Sequence, residues 1–234
     1  MKSILIFIAI LSLVISGKDF NNTQILATKA SSDVTVSGVS SGGFMSAQML
    51  VAYSNDIKGA GLFASGPYFC TRGTMMTVVD CMTTGLSIVT DQLLLAAEGF
   101  QTLGMIDNLS NIKNSKVYLF SGTKDKVVWT PVVKKNEDFF RKLGAEIHAD
   151  YAIGAEHCFP TDYFGNKCDK LGAPFINNCD FKGSKHALDH IMAAELQQQV
   201  DHKDSNLLSF DQSRYNPGMT SSFGDTGYIY IPDS

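Results

Sequence analysis

Residues 33–49, DVTVSGVSSGGFMSAQM, constrain the fold more than any other stretch. The alternating run Val34-Thr35-Val36 has strand character, a Gly-Val-Ser-Ser-Gly-Gly corner follows at 38–43, and an apolar segment of helical character comes next. Strand, sharp turn and helix in that order fit G-x-S-x-G at Gly38-Val39-Ser40-Ser41-Gly42. In that pattern the serine sits on a strained elbow, and small flanking residues let the backbone pass close by. A Ser/Gly turn that only caps a helix has the same letters without chemistry, so the weight comes from the strand before and the helix after. Ser40 is the candidate nucleophile. The segment 44–52, FMSAQMLVA, is apolar nearly all round and predicts a buried helix.

Further along, 58–64 (KGAGLFA) reads as a short buried strand, and 83–100 has a helical pattern with Leu93, Leu94, Leu95 and Ala97 closely spaced. Residues 116–121 (KVYLFS) form a strand that ends in the loop Gly122-Thr123-Lys124-Asp125. Thr130-Pro131 starts a helix: threonine accepts from the first free N–H groups, and proline fills a position whose N–H has no partner. Val132, Val133, Phe139, Phe140 and Leu143 then recur at helical spacing, and Gly144 supplies the stop. Residues 145–152 (AEIHADYA) alternate as a strand and lead into Gly154-Ala155-Glu156-His157. A last helix is expected over 185–199, a polar irregular stretch over 207–222, and a strand at 228–231. The order β-α-β-α-β-α-β implies an α/β fold: a mostly parallel sheet with helices on both faces. There is no internal repeat, no heptad and no phosphate-binding glycine loop.

Lys2, the apolar run 4–15 and the small Ser16 and Gly17 read as a secretory signal peptide over 1–17, too short to span a bilayer. That leaves 18–234 as one domain, and no later stretch is apolar enough to serve as a membrane anchor. Without Lys2 the chain carries 18 basic and 23 acidic side chains, a formal charge of −5 that disfavours nucleic acid and anionic membrane as partners. Five cysteines in an exported chain point to disulfides. Cys70 with Cys81 and Cys168 with Cys179 are the economical short-loop pairs, leaving Cys158 as a buried thiol or the partner of a cysteine outside the chain. Sequons at Asn21 and Asn108 fit an export route.

A serine hydroxyl needs a base to take its proton and a third group to orient that base. In α/β-hydrolases these follow in the order serine, acid, histidine, on loops at the C-terminal ends of strands. Asp125 lies four residues past the KVYLFS strand and His157 five past the AEIHADYA strand, so both follow the template. Asp80 and Asp162 are alternative acids that follow a strand less directly. His148 falls inside a strand and His202 in a charged stretch. His186 and His190, four apart on a helix, are half a metal site without a carboxylate or cysteine cluster to complete it, so neither a metal nor a cofactor is expected.

Six separated stretches carry a resemblance: 38–49 (GVSSGGFMSAQM), 66–70 (GPYFC), 121–125 (SGTKD), 157–162 (HCFPTD), 176–179 (INNC) and 224–228 (GDTGY). Together they resemble the secreted poly(3-hydroxybutyrate) depolymerases, serine esterases with a circularly permuted, single-domain α/β-hydrolase fold. The resemblance implies Ser40 as nucleophile, Asp125 as acid and His157 as base. It also implies the Ser41 N–H as one oxyanion donor, and a hydrophobic crevice for an aliphatic polyester or hydroxyalkanoate oligomer cleaved through an acyl-enzyme. Family members continue past the strand matching 227–232 into a block whose His-Gly-Cys stretch gives the second oxyanion donor. The chain is therefore expected to be incomplete at its C-terminus, and a catalytically impaired homologue or polyester-binding relic is the alternative to an active esterase. Cys158 stands where relatives often have glycine. The sequence carries no signal of oligomeric state.

Overall fold

The computed structural model describes residues 14–15, 18–19, 33–192, 203–213 and 224–232. Most of the expected leader, the Asn21 sequon, His202 and the end of the last expected helix lie outside the described residues. The chain divides into two compact units, Asp33–Gln197 and a second made of Met1–Ser32 with Gln198–Ser234.

The larger unit is built on a four-stranded parallel sheet of β3 (Val34–Val39), β4 (Ile57–Phe63), β5 (Lys116–Phe120) and β6 (Glu146–Asp150), adjacent in chain order. The strands are joined by α1 (Ser41–Ala52), α2 (Thr90–Thr102) and α3 (Thr130–Lys142). Because β-α-β crossovers are right-handed, strands laid down in sequence put successive helices on the same face. The packing agrees: Ala60, Leu62, Val117 and Leu119 meet Leu50 and Val51 of α1, Leu93 of α2, and Val133 and Phe140 of α3. Alternate residues Phe63, Tyr118 and Phe120 point to the other face, where Ala187 and Ile191 of α4 (Gly183–Met192) cover them. The expected parallel sheet with helices on both faces is present.

Three local expectations change. The helix expected from residue 83 begins at Thr90, because Asp80 organises the preceding loop: its carboxylate accepts from Leu86 N–H at 3.0 Å, Ser87 N–H at 2.7 Å and Thr84 Oγ1–H at 2.5 Å. Trp129 takes the cap position of α3, and the Thr130 hydroxyl pairs with Ser121 Oγ at 2.9 Å instead of capping. The stop is as read: Gly144 takes φ 80° and its N–H reaches the Arg141 carbonyl at 2.9 Å. Helix α1 is buried through Ala47, Leu50 and Val51, but Met45 is exposed, so its apolar character exceeds its burial.

Beyond β6, the short parallel strands β7 (Phe159–Thr161), β8 (Asn166–Lys167) and β9 (Ile176–Asn178) make a small sheet in the order β7-β9-β8. Its centre is the fully buried Asn177, whose amide donates to the carbonyls of Cys168 at 3.0 Å and Lys170 at 2.9 Å. Disulfides join Cys70 to Cys81 and Cys168 to Cys179. Both pairs are the short-loop ones expected.

In the second unit β1 (Val14–Ile15), β2 (Lys18–Asp19), β10 (Leu207–Asp211) and β11 (Thr226–Tyr230) form an antiparallel sheet ordered β11-β10-β1-β2. The terminal strand overlaps the one expected at 228–231 but starts two residues earlier and ends one earlier. The stretch expected to be irregular from 207 starts with its partner strand, whose sequence Leu-Leu-Ser-Phe-Asp does not alternate apolar with polar from its first residue. Among the described residues no helix is long and apolar enough to cross a membrane.

Candidate active site

Ser40 is the residue between β3 and α1, with φ 55° and ψ −124°, a conformation L-residues rarely adopt. Its N–H bonds the Phe63 carbonyl at 3.0 Å, which extends the β3–β4 ladder by one step, and its carbonyl accepts from Phe44 N–H at 2.9 Å to start α1. Strand and helix thus clamp the serine from both sides. The turn is tight enough that a Cβ on Gly38 would stand 2.3 Å from the Gly42 carbonyl carbon, so only glycine fits there. Ser41 is the first residue of α1, and its N–H has no acceptor within the helix.

Asp125 and His157 come together. His157 Nδ1 lies 2.9 Å from Asp125 Oδ2, both side chains almost fully buried. The other carboxylate oxygen accepts the N–H groups of Val127 and Val128, each at 2.8 Å, so Asp125 is fixed by its own loop. With Nδ1 engaged, Nε2 is the ring nitrogen left for a second partner. Since β3, β5 and β6 are parallel, Ser40, Asp125 and His157 all follow strand C-termini on one edge of the sheet.

The loops carrying Asp125 and His157 are joined by more than this pair. Lys124 N–H bonds the Ala155 carbonyl at 3.0 Å and Thr123 N–H bonds the Ile153 carbonyl at 2.8 Å. A Cβ on Gly122 would stand 2.1 Å from the Ala155 oxygen, a contact that admits no side chain. Glu156 is a buried residue at this site to which the sequence reading gave no part. Its side chain is buried, and Oε1 accepts from Lys126 N–H on the acid loop at 2.6 Å and from His157 N–H at 3.2 Å. A carboxylate beside a histidine has no periodicity or motif to mark it, and only loop-to-loop packing reveals its part.

The alternative acids have other duties. For Asp80, burial opposes ionisation, but hydrogen bonds from the Ser87 and Thr84 hydroxyls and the Ser87 and Leu86 N–H groups outweigh it and hold the carboxyl down at about 2. Asp162 pairs with Lys182 at 3.4 Å. Cys158 is a free buried thiol, pushed up to about 12 by burial and then by the charges of Asp125 and Glu156, which makes it a poor nucleophile.

No family model matches the chain. It is 37% identical over 207 residues to a poly(3-hydroxybutyrate) depolymerase of Delftia acidovorans, covering 86% of this chain and 41% of that protein. It is 33% identical to a polyhydroxybutyrate depolymerase of Talaromyces funiculosus, covering 86% of this chain and 59% of that one. Two solved structures are similar to it at TM-score 0.74: the PHB depolymerase from Penicillium funiculosum, 32% identical over 87% of this chain and 64% of that chain, and a PHB depolymerase variant complexed with an R3HB trimer, 31% identical over 86% and 63%. The chain thus spans between two fifths and two thirds of the length of these relatives.

Proposed function

We propose, for a chain that belongs to the poly(3-hydroxybutyrate) depolymerase family, that it is a secreted serine esterase acting on poly(3-hydroxybutyrate) or related short-chain polyesters. The observation that carries the proposal is the buried Asp125–His157 hydrogen bond on the sheet edge where Ser40 stands on its strained elbow. In this reading His157 Nε2 takes the Ser40 proton as Oγ bonds to the ester carbonyl carbon, and Asp125 holds the imidazole in the tautomer that can accept it. The carbonyl oxygen becomes an oxyanion facing the Ser41 N–H. Collapse breaks the bond to the alkoxy oxygen, which leaves as an alcohol with the proton from His157. Water, deprotonated by the same imidazole, then hydrolyses the acyl-enzyme and frees Ser40. The charged run-in at Lys2, the apolar stretch after it and the two disulfides support export.

The test is labelling with a fluorophosphonate probe alongside turnover of a soluble hydroxybutyrate ester. The folded chain is expected to label at Ser40, with labelling abolished in Ser40→Ala and greatly slowed in His157→Ala. Equal labelling in Ser40→Ala overturns the nucleophile. A folded chain that does not label but still adsorbs to the polymer favours the binding reading over the catalytic one.

A further inference from the structure

The histidines outside the active site converge where the sequence left them apart. His148 and Asp150 are two residues apart on β6, so they share a face, and it is the face that α4 covers. His186 comes from α4. Its Nδ1 lies 3.4 Å from Asp150 Oδ2, and His148 Nε2 lies 3.6 Å from the same oxygen. All three atoms fall within 4.8 Å of one another. The His190 ring lies 5.8 Å from that of His148 between centroids, but its Nε2 is engaged 3.0 Å from the Glu146 carbonyl oxygen.

These separations are long for direct hydrogen bonds, which run at roughly 2.7–3.2 Å. The two distances to Asp150 Oδ2 are close to the edge of a coordination tetrahedron: ligand atoms about 2.0–2.1 Å from a central ion stand roughly 3.3–3.4 Å from each other. The carboxylate also has the outer support that metal ligands usually have. Tyr118, fully buried beneath it, donates its hydroxyl to Asp150 Oδ2 at 2.7 Å and stacks its ring on His148 at 5.9 Å between centroids. Phe181 packs against the His186 ring, 4.3 Å between centroids.

We propose that His148 Nε2, Asp150 Oδ2 and His186 Nδ1 form a binding site for a divalent first-row transition ion such as zinc, with the fourth position open to water. Two neutral nitrogens and one carboxylate oxygen are the donor set that zinc, copper and nickel accept. The site shares no residue with Ser40, Asp125 or His157 and does not depend on the esterase reading. By bridging β6 to α4 the ion would tie the edge of the parallel sheet to the helix over it.

Isothermal titration of the chelator-treated chain with Zn²⁺ alone tests this, with the same titration on His148→Ala, His186→Ala, Tyr118→Phe, His190→Ala and His157→Ala. The two ligand histidines are about half exposed, so their replacement leaves the fold in place, as a far-UV spectrum of each variant checks. The expected result is saturable one-to-one binding, weakened about tenfold in Tyr118→Phe and more in each of His148→Ala and His186→Ala, with His190→Ala and His157→Ala near wild type. Zinc should also raise the melting temperature of the wild-type chain but not of the two ligand variants. Absence of saturable binding overturns the site. So does a loss under tenfold in either His148→Ala or His186→Ala, or a loss that follows His157→Ala instead.

Discussion

Asp125→Asn isolates what the buried carboxylate contributes, because the amide keeps its size while losing the charge and turning one acceptor oxygen into a donor. The Val127 and Val128 N–H groups and His157 all need an acceptor there, and the asparagine NH₂ would meet one of them. If that donor faces the ring, His157 is held in the wrong tautomer, so turnover of a soluble ester is expected to fall about 10⁴-fold with the melting temperature little changed. Glu156 acts one step further out. Glu156→Ala strips the acceptor from two N–H groups in the paired loops, at roughly 1–3 kcal/mol for each buried donor left unpaired. It should lower kcat with KM little changed, and Glu156→Gln, which keeps the acceptor oxygen, should restore most of the loss. Were Glu156 only a surface charge, Ala and Gln would behave alike. Cys158, buried and kept as a thiol, is expected to resist an alkylating reagent at neutral pH until denaturant is added, as mass spectrometry of the reacted chain would show.

At the level of elements, the loop before α2 and the joined acid and base loops make different demands. Asp80 stands at about 2 in the folded chain against an ordinary 3.8, so its stabilising effect is fully present above about pH 4 and is lost as pH falls through 2. Asp80→Asn should therefore flatten the acid limb of stability between those values, read from melting temperatures at a series of pH values. Gly122→Ala forces a Cβ onto the Ala155 carbonyl oxygen, and since backbone rather than a flexible side chain is in the way, the two loops must separate. A loss of about 1–3 kcal/mol, seen as a drop of several degrees in melting temperature, is expected together with slower probe labelling at Ser40. The elements themselves were legible where their pattern was long or punctuated: the KVYLFS strand, and the helix bounded by Pro131 and Gly144. The start of α2 was not, because the carboxylate that unwinds 83–89 acts through hydrogen bonds that periodicity does not record.

For the whole molecule, the disulfides close loops of equal span, each with a sequence separation of 11. Each is expected to contribute ~2–3 kcal/mol by restricting the unfolded chain, so reduction should lower the melting temperature, and non-reducing peptide maps should show Cys158 unbridged. The alternation of strands and helices from β3 to β6, Ser40 at the elbow, and the positions of Asp125 and His157 past β5 and β6 follow from the sequence alone, because right-handed crossovers and parallel strands turn chain order into spatial order. Those constraints are local or topological, and a single sequence carries them. What only the tertiary structure decided are the contacts between segments with no local relation: Glu156 reaching Lys126 across two loops, Leu207–Asp211 finding Thr226–Tyr230, and His186 of a helix meeting His148 and Asp150 of a strand. The reason is physical. Burial and hydrogen-bond partnership are properties of pairs brought together by packing, and residue spacing along the chain carries no record of such pairs until the sheet and its helices have closed.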